Sequence, residues 1–313
     1  MTSSTHIPVL LDAVLAGLRI TDIAAGRFID ATLGLGGHSA GILTANPAAR
    51  VLGFDRDPQA LRIAADRLAI FGDRATLIHA SYDQLAAAAS AAGFDAVDGI
   101  LFDLGLSSLQ LDSSERGFAF RTEAPLDMRF DPTADIPTAA DLVNTLEETE
   151  LADVLFTYGD EPASRRIARA IVNQRAVTPI VSTTTLAELI RQAAPAPRGH
   201  KIHPATRSFQ ALRIVVNDEL GALERTLPAA IRQLKPGGRL AVISFHSLED
   251  RIVKQLFKHE ATDCLCPPHQ PICTCSHLAS IALVTRKPIE AAGAEVAENP
   301  RSRSAKLRVI EKI

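Results

Sequence analysis

Asp30-Ala31-Thr32-Leu33-Gly34-Leu35-Gly36-Gly37-His38 is the stretch that decides how this chain reads. Arg27-Phe28-Ile29 leads into it as a short buried strand. The glycines let the backbone turn tightly and approach a ligand, and His38 to Ala45 reads as the opening of a helix. About 20 residues further on, Val51-Leu52-Gly53-Phe54 forms a second strand that delivers Asp55 to its carboxyl end. There one carboxylate can accept hydrogen bonds from both hydroxyls of a ribose. Together these features describe a nucleotide-type cofactor site in an α/β sheet, although glycines alone leave a purely structural βα turn open.

The spacing of the glycines narrows the ligand. A dinucleotide fold writes G-x-G-x-x-G, with a pyrophosphate on the helix N-terminus. Here the order is Gly34-x-Gly36-Gly37 after Asp30 and Thr32. That resembles the first motif of the S-adenosylmethionine-dependent methyltransferases, whose ligand has a ribose and an adenine but no phosphate. Leu234-Lys235-Pro236-Gly237-Gly238-Arg239-Leu240-Ala241-Val242-Ile243 reads as a helix end, a Pro-Gly-Gly turn and a strand, and also resembles a late strand of that fold.

A chain of 313 residues with 47% hydrophobic content can bury one large or two ordinary cores. Met1 to Pro8 has no basic region followed by an apolar run, and no apolar stretch is long enough to span a bilayer, so a soluble, cytoplasmic protein is expected. Up to residue 107, short apolar strands alternate with helical segments: Phe28-Ile29, Val51 to Phe54, Thr76 to His79 and Gly99 to Asp103, as in a parallel sheet. From Leu109 to about Val215, prolines punctuate apolar positions at helical spacing, and afterwards the α/β alternation resumes. The expected organisation is a split sheet domain, residues 1–107 and 216–313, with a helical insertion over 108–215.

The insertion carries a charge pattern that a net charge of −3 conceals. From Arg121 to Glu161 acids dominate. From Pro162 to Val215 the basic residues Arg165, Arg166, Arg169, Arg175, Arg191, Arg198, Lys201, Arg207 and Arg213 face a single acid, Glu188. This is the footprint of a phosphate-backbone contact surface, with mutual neutralisation of the two halves as the alternative. The preference for arginine suits phosphate and stacked bases.

His6-Ile7-Pro8-Val9-Leu10-Leu11, Gly36-Gly37-His38-Ser39, Gly53-Phe54-Asp55-Arg56-Asp57, Asp103-Leu104-Gly105-Leu106-Ser107-Ser108-x-Gln110-Leu111-Asp112, His203-Pro204-Ala205-Thr206-Arg207-Ser208-Phe209-Gln210-Ala211-Leu212-Arg213, Ser244-Phe245-His246-Ser247-Leu248-Glu249-Asp250-Arg251 and Pro300-Arg301-Ser302-Arg303-Ser304-Ala305-Lys306-Leu307-Arg308 run almost from end to end. They resemble the motifs of the bacterial 16S rRNA cytosine-N4 methyltransferase family. The resemblance implies an α/β, Rossmann-like class I methyltransferase sheet with an inserted all-helical substrate domain. It implies S-adenosylmethionine as cofactor, and methylation of one cytidine in the decoding region (P site) of the small ribosomal subunit. An amino-methyltransferase of another nucleic acid, or a nonenzymatic RNA-binding assembly factor, are the rival readings, and a homodimer is left open.

The chemistry assigns expectations to residues. The exocyclic N4 of cytosine donates its lone pair into the ring, so the enzyme must position it and accept a proton as the new bond forms. Asp103, at a strand's carboxyl end, is the expected catalytic group, with a strand-end cap or a cofactor contact as alternatives. Gly36, Gly37, His38, Asp55, Tyr82, Asp103 and Gln110 are the expected cofactor set, His38 through its backbone; the resemblance implies that Tyr82 packs near the adenine. Arg165, Arg166, Arg169, Arg207, Arg213 and His246 are the expected substrate side. Ser247-x-x-Asp250 reads as a capping box.

Cys264-x-Cys266 and Cys273-x-Cys275, with His269 and His277 nearby, are too few for a disulfide scaffold in a chain this long. The two pairs and the histidines could supply four ligands to a structural zinc, although C-x-C is tighter than the usual spacing of zinc ligands. Methyl transfer from a sulfonium needs no metal, and none is expected in the site.

Overall fold

The computed structural model describes residues 7–113, 115–194, 203–267, 269–270 and 272–313. His6, Arg198 and Lys201 lie outside the described residues.

Eight strands form one sheet: β1 Arg27–Asp30, β2 Arg50–Asp55, β3 Ala75–His79, β4 Val97–Asp103, β5 Leu234–Ser244, β6 Ile281–Leu283, β7 Ile289–Glu290 and β8 Lys306–Lys312. Their order is β3-β2-β1-β4-β5-β8-β6, with β7 also paired to β8. The first five in that order run parallel, and β8 lies antiparallel to β5 and β6. β1, β2 and β4 are buried nearly throughout because both faces are covered, whereas no residue of the edge strand β3 is buried. Ile29, Leu52, Ile100 and Phe102 meet the helices Leu85–Ala91, Glu219–Gln233 and Ser247–Glu260. The alternate residues Phe28, Val51 and Leu101 meet Leu11–Gly17, Gly37–Ala45 and Pro58–Leu68.

From β1 the chain winds outward to β2 and β3, then crosses back to place β4 on β1's other side. Such a reversal opens a crevice above the carboxyl ends of β1 and β4, where ligands bind in open α/β sheets. Asp30, Asp55 and Asp103 are the last residues of β1, β2 and β4.

The Pro-Gly-Gly segment departs from the expected turn. β5 already begins at Leu234, opposite Val97, and the next pairing is Arg239 with Gly99, so the intervening residues bulge from the ladder. Gly237 takes a left-handed φ of 75° within that bulge. Asp98 holds the region, accepting the backbone N–H of Arg27 at 2.8 Å and pairing with the Lys235 ammonium.

The chain divides into two compact units, one running through Gly105 and resuming at Leu220, the other spanning Leu106–Glu219. The second is helical: Ala139–Thr145, Glu148–Gly159, Ser164–Arg175, Thr183–Ala193 and Ala205–Asn217 surround Val143, Leu151, Leu155, Ile167, Ile171, Leu186, Ile190 and Leu212. Its extended pairing among the described residues is an isolated bridge between Pro125 and Ser182.

Two of these helices touch backbone to backbone. A Cβ on Gly159 would lie 2.7 Å from the Arg207 carbonyl oxygen, which belongs to the main chain and cannot turn aside. Gly159→Ala is therefore expected to destabilise the protein by about 1–3 kcal/mol through overpacking. A denaturant titration followed by circular dichroism checks this, and an unshifted midpoint would contradict the close approach.

Candidate active site

The turn after β1 is organised by a buried acid. Asp30 is 1% exposed and accepts the Ser39 hydroxyl at 2.7 Å and the Thr32 N–H at 3.3 Å. Burial pushes its carboxyl above the usual carboxylate range, against the pull of His38, Ser39 and Thr32 in the other direction. The Thr32 hydroxyl oxygen in turn accepts the backbone N–H of Asp103 at 2.5 Å, clipping the turn to the end of β4. Thr32 is a residue that sequence reasoning missed as a site element; its place two residues after Asp30 was the available signal.

Asp103 faces a buried imidazole. His38 Nε2 lies 3.4 Å from Asp103 Oδ2, a charge contact rather than an aligned hydrogen bond. Burial alone would lower the His38 pKa, but the carboxylates of Asp103 and then Asp30 outweigh it and hold the imidazole above its ordinary value. Asp103 Oδ1 and both His38 ring nitrogens are buried without hydrogen-bond partners among the described residues. His38 was expected to contribute backbone; the structure adds its ring to the site.

Asp55 is aimed by two backbone donors. Oδ2 accepts Gly34 N–H at 2.7 Å and Oδ1 accepts Asp57 N–H at 2.8 Å, so each oxygen keeps a further lone pair. Burial pushes its carboxyl up to about 6, although those two donors pull it down. Gly36, with φ 75°, is the N-cap of the helix that Gly37 and His38 begin. Tyr82 follows β3 and packs edge-on against Phe102, ring centroids 5.5 Å apart. Beside it the buried hydroxyl of Ser81 has no partner among the described residues. A carboxylate with two spare lone pairs, a glycine turn, an aromatic edge and orphaned buried polar atoms at the ends of neighbouring strands suit a nucleoside bearing a charged tail.

Other expectations are redistributed. Gln110 lies in the helical unit, where its side-chain carbonyl accepts Ser107 N–H at 3.0 Å and closes a capping box. The expected Ser247-x-x-Asp250 box falls one residue earlier: His246 is the N-cap of Ser247–Glu260, and Glu249 is its reciprocal partner. The His246 ring is turned to Glu249: Nδ1 accepts the Glu249 N–H at 3.4 Å, because a helix start needs acceptors for its free N–H groups, and Nε2 lies 3.1 Å from the Glu249 carboxylate. Asp250 instead binds Arg308 on β8 at 2.7 and 3.2 Å.

The arginines of the helical unit divide in the same way. Arg213 was expected on the substrate side, but its guanidinium grips Glu219 in a fork at 2.7 and 2.9 Å, the two side chains 12% and 7% exposed. Arg207 donates to the Asp160 carbonyl at 3.2 Å, past the end of Glu148–Gly159. Arg175 donates to the Val143 carbonyl, and Arg191 pairs with Glu188. Arg165, Arg166 and Arg169 stand exposed on Ser164–Arg175, and among the described residues Arg169 is the one of the three that meets an acid, Glu148 at 3.3 Å.

Strand order, the antiparallel β8 and acids at successive strand ends define a Rossmann-like class I methyltransferase. The chain belongs to the MraW methylase family, whose pattern matches residues 3–313. It is 53% identical to a protein of Symbiobacterium thermophilum, over 98% of this chain and 96% of that one. It is 50% identical to one of Oleidesulfovibrio alaskensis, over 99% and 96%. A Geobacter protein (strain M21) is 51% identical, over 98% of each chain. Each of these relatives is named ribosomal RNA small subunit methyltransferase H.

The buried fork and the exposed arginines make opposite demands on stability. Arg213→Ala strands the Glu219 carboxylate and is expected to cost about 3 kcal/mol. Replacing Arg165, Arg166 and Arg169 together with Gln should change stability by less than about 1 kcal/mol. Parallel melting curves check both, and equal shifts would contradict the division.

Proposed function

We propose that this chain transfers the methyl group of S-adenosylmethionine to the exocyclic N4 of a cytidine in the decoding region of 16S rRNA, within the small ribosomal subunit. The observation that carries the reading is Asp103, whose Oδ2 faces His38 while Oδ1 is buried and, among the described residues, without a hydrogen-bond partner at the topological switch point. The rRNA substrate is supported by the names of relatives that match this chain almost end to end.

Bound S-adenosylmethionine supplies a sulfonium-activated methyl group. Asp55 would hold the ribose hydroxyls, Tyr82 and Ser81 would line the adenine, and the turn through Gly34, Gly36, Gly37 and the His38 backbone would receive the methionine tail. Asp103 then works on the nucleobase. A carboxylate oxygen that accepts a hydrogen bond from N4 favours the pyramidal amine, freeing a lone pair that the ring otherwise delocalises. As the N–C bond forms at the expense of the sulfonium's S–CH₃ bond, which would leave a neutral thioether, N4 gives up a proton, and Oδ1 is the acceptor this site offers. The charge contact with His38 would favour this orientation of the Asp103 carboxylate. The exposed Arg165, Arg166 and Arg169 would hold RNA phosphates.

Incubation with labelled cofactor and, separately, small subunits, free rRNA, tRNA and DNA tests the reading. Label is expected in 16S rRNA, released on digestion as N4-methylcytidine. Label on another nucleic acid, or on none, would overturn it. Gln in place of the three exposed arginines should weaken RNA binding and flatten its salt dependence. Asp103→Asn is expected to lower single-turnover methylation by roughly 10²-fold or more while the cofactor Kd moves little. A proportional fall in both would make Asp103 a cofactor ligand only.

Asp55 generates a pH dependence. Burial pushes its carboxyl up to about 6, and only the ionised form keeps a free lone pair on each oxygen for two hydroxyls. Cofactor affinity should hold above that pH and fall by up to about tenfold per unit below it. Asp55→Asn should bind more weakly throughout and lose this component of the pH response. Calorimetry across pH 5 to 8 (roughly the span over which a carboxyl of raised pKa titrates) checks the slope.

A further inference from the structure

Outside the methyltransferase site, one cluster of chemically active side chains is left unexplained. Cys264, Cys266, Cys273 and Cys275 lie in the connection between the helix Ser247–Glu260 and β6. Their four sulfurs fall within 4.8 Å of one another. Cys264 to Cys273 is 3.5 Å, Cys273 to Cys275 is 3.6 Å, Cys264 to Cys275 is 3.8 Å and Cys266 to Cys273 is 4.0 Å. Four sulfurs each about 2.3 Å from one ion, at the corners of a tetrahedron, would lie about 3.8 Å apart. Four of the six sulfur–sulfur distances thus lie close to the edge that a single tetrahedral ion requires, and all six lie within 4.8 Å. An iron–sulfur cluster needs wider spacing, because several irons and sulfides intervene.

The C-x-C spacing argued against this from sequence, since each pair is too tight to chelate as the common C-x₂₋₄-C does. The structure resolves the objection by facing the two pairs toward each other across the connection. Backbone donors also support thiolate character: Leu265 N–H points at Cys275 Sγ at 3.3 Å and Thr274 N–H at Cys266 Sγ at 3.4 Å.

The packing supplies an independent reason for a staple. Among the described residues of 261–280, none is buried, and Leu265, Ile272 and Leu278 are 43%, 74% and 77% exposed. Apolar burial therefore cannot be what orders this segment. Polar contacts tie its ends to the preceding helix: the His277 ring lies 3.0 Å from the His259 carbonyl, and Ser280 donates to Glu260 at 2.7 Å. A loop without a core of its own is the setting in which a bound metal supplies folding energy.

We propose that Cys264, Cys266, Cys273 and Cys275 bind one Zn²⁺ as a closed tetrathiolate site that holds this connection in shape. All four positions are filled by protein, so the ion has no open position for substrate and its role is structural.

The test uses the full-length protein purified under reducing conditions. Elemental analysis should find one equivalent of zinc per chain, released together with four titratable thiols when a mercurial is added. Cobalt substitution should give the thiolate-to-cobalt charge-transfer band and the intense visible bands of tetrahedral coordination. Chelation should open the 264–275 segment to limited proteolysis while the rest of the chain stays resistant. Cys273→Ser with Cys275→Ser should abolish stoichiometric zinc and leave cofactor affinity within twofold, which shows that the variant is folded. Substoichiometric zinc with four freely reactive thiols in the native protein would overturn the proposal. So would undiminished zinc in the double variant, or a cleavage pattern indifferent to chelation.

Discussion

The buried carboxylate of Asp30 is the constraint on which the rest of the site depends. A carboxyl group 1% exposed has exchanged water for a hydroxyl, a backbone N–H and the field of an imidazole, and each of these fixes something else. Ser39 fixes the first turn of the helix Gly37–Ala45, and Thr32 is held so that its own oxygen can receive Asp103 N–H. His38 is then trapped between two acids. The resulting order, Asp30 to His38 to Asp103, transmits the position of β1 to the oxygen that β4 presents at the crevice. An apolar residue at position 30 would relieve the desolvation cost but leave the turn without its organiser, in keeping with the observation that strain and buried charge collect at functional sites.

The same economy governs charges elsewhere, with burial deciding the outcome. Asp250 and Arg308 tie the start of Ser247–Glu260 to β8, and Arg239 ties β5 to β8 through Glu311 at 2.9 Å. In the helical unit the acids that dominate from Arg121 to Glu161 largely serve their own backbone. Asp141 closes a box with Thr138, Glu150 with Glu147, and Glu161 accepts Ala163 N–H at 2.9 Å. Those carboxylates are committed to local backbone donors, and among the described residues Arg165 and Arg166 of Ser164–Arg175 form no ion pair, while Arg169 meets Glu148. The contrast between fork-bound Arg213 and exposed Arg165 is one of solvent access, since a guanidinium can meet phosphate only where it remains exposed.

The glycine turn, the acid-ended strands and the apolar runs were legible in the sequence because they are local. A parallel strand covered on both faces must be apolar at successive positions, and a backbone that turns with φ 75° at position 36 favours glycine. Those requirements act within a few residues, so β1 to β4 and the place of Asp30, Asp55 and Asp103 followed from reading along the chain. The motifs that mark the MraW methylase family are likewise contiguous and need no folding to be seen.

Only the tertiary structure decided which partner each polar side chain takes, because those partners are remote in sequence or compete at short range. His246 against Ser247 as helix cap, Arg213 on Glu219, and the Pro-Gly-Gly bulge against Val97 and Gly99 each turned on geometry that spacing does not encode. The four cysteines show the limit most plainly. Each C-x-C pair read alone is a poor chelate, and the facing of one pair by the other arises from a connection that reverses direction between a helix and a strand. Sequence determines the donors, whereas the distance between them is a property of the folded chain.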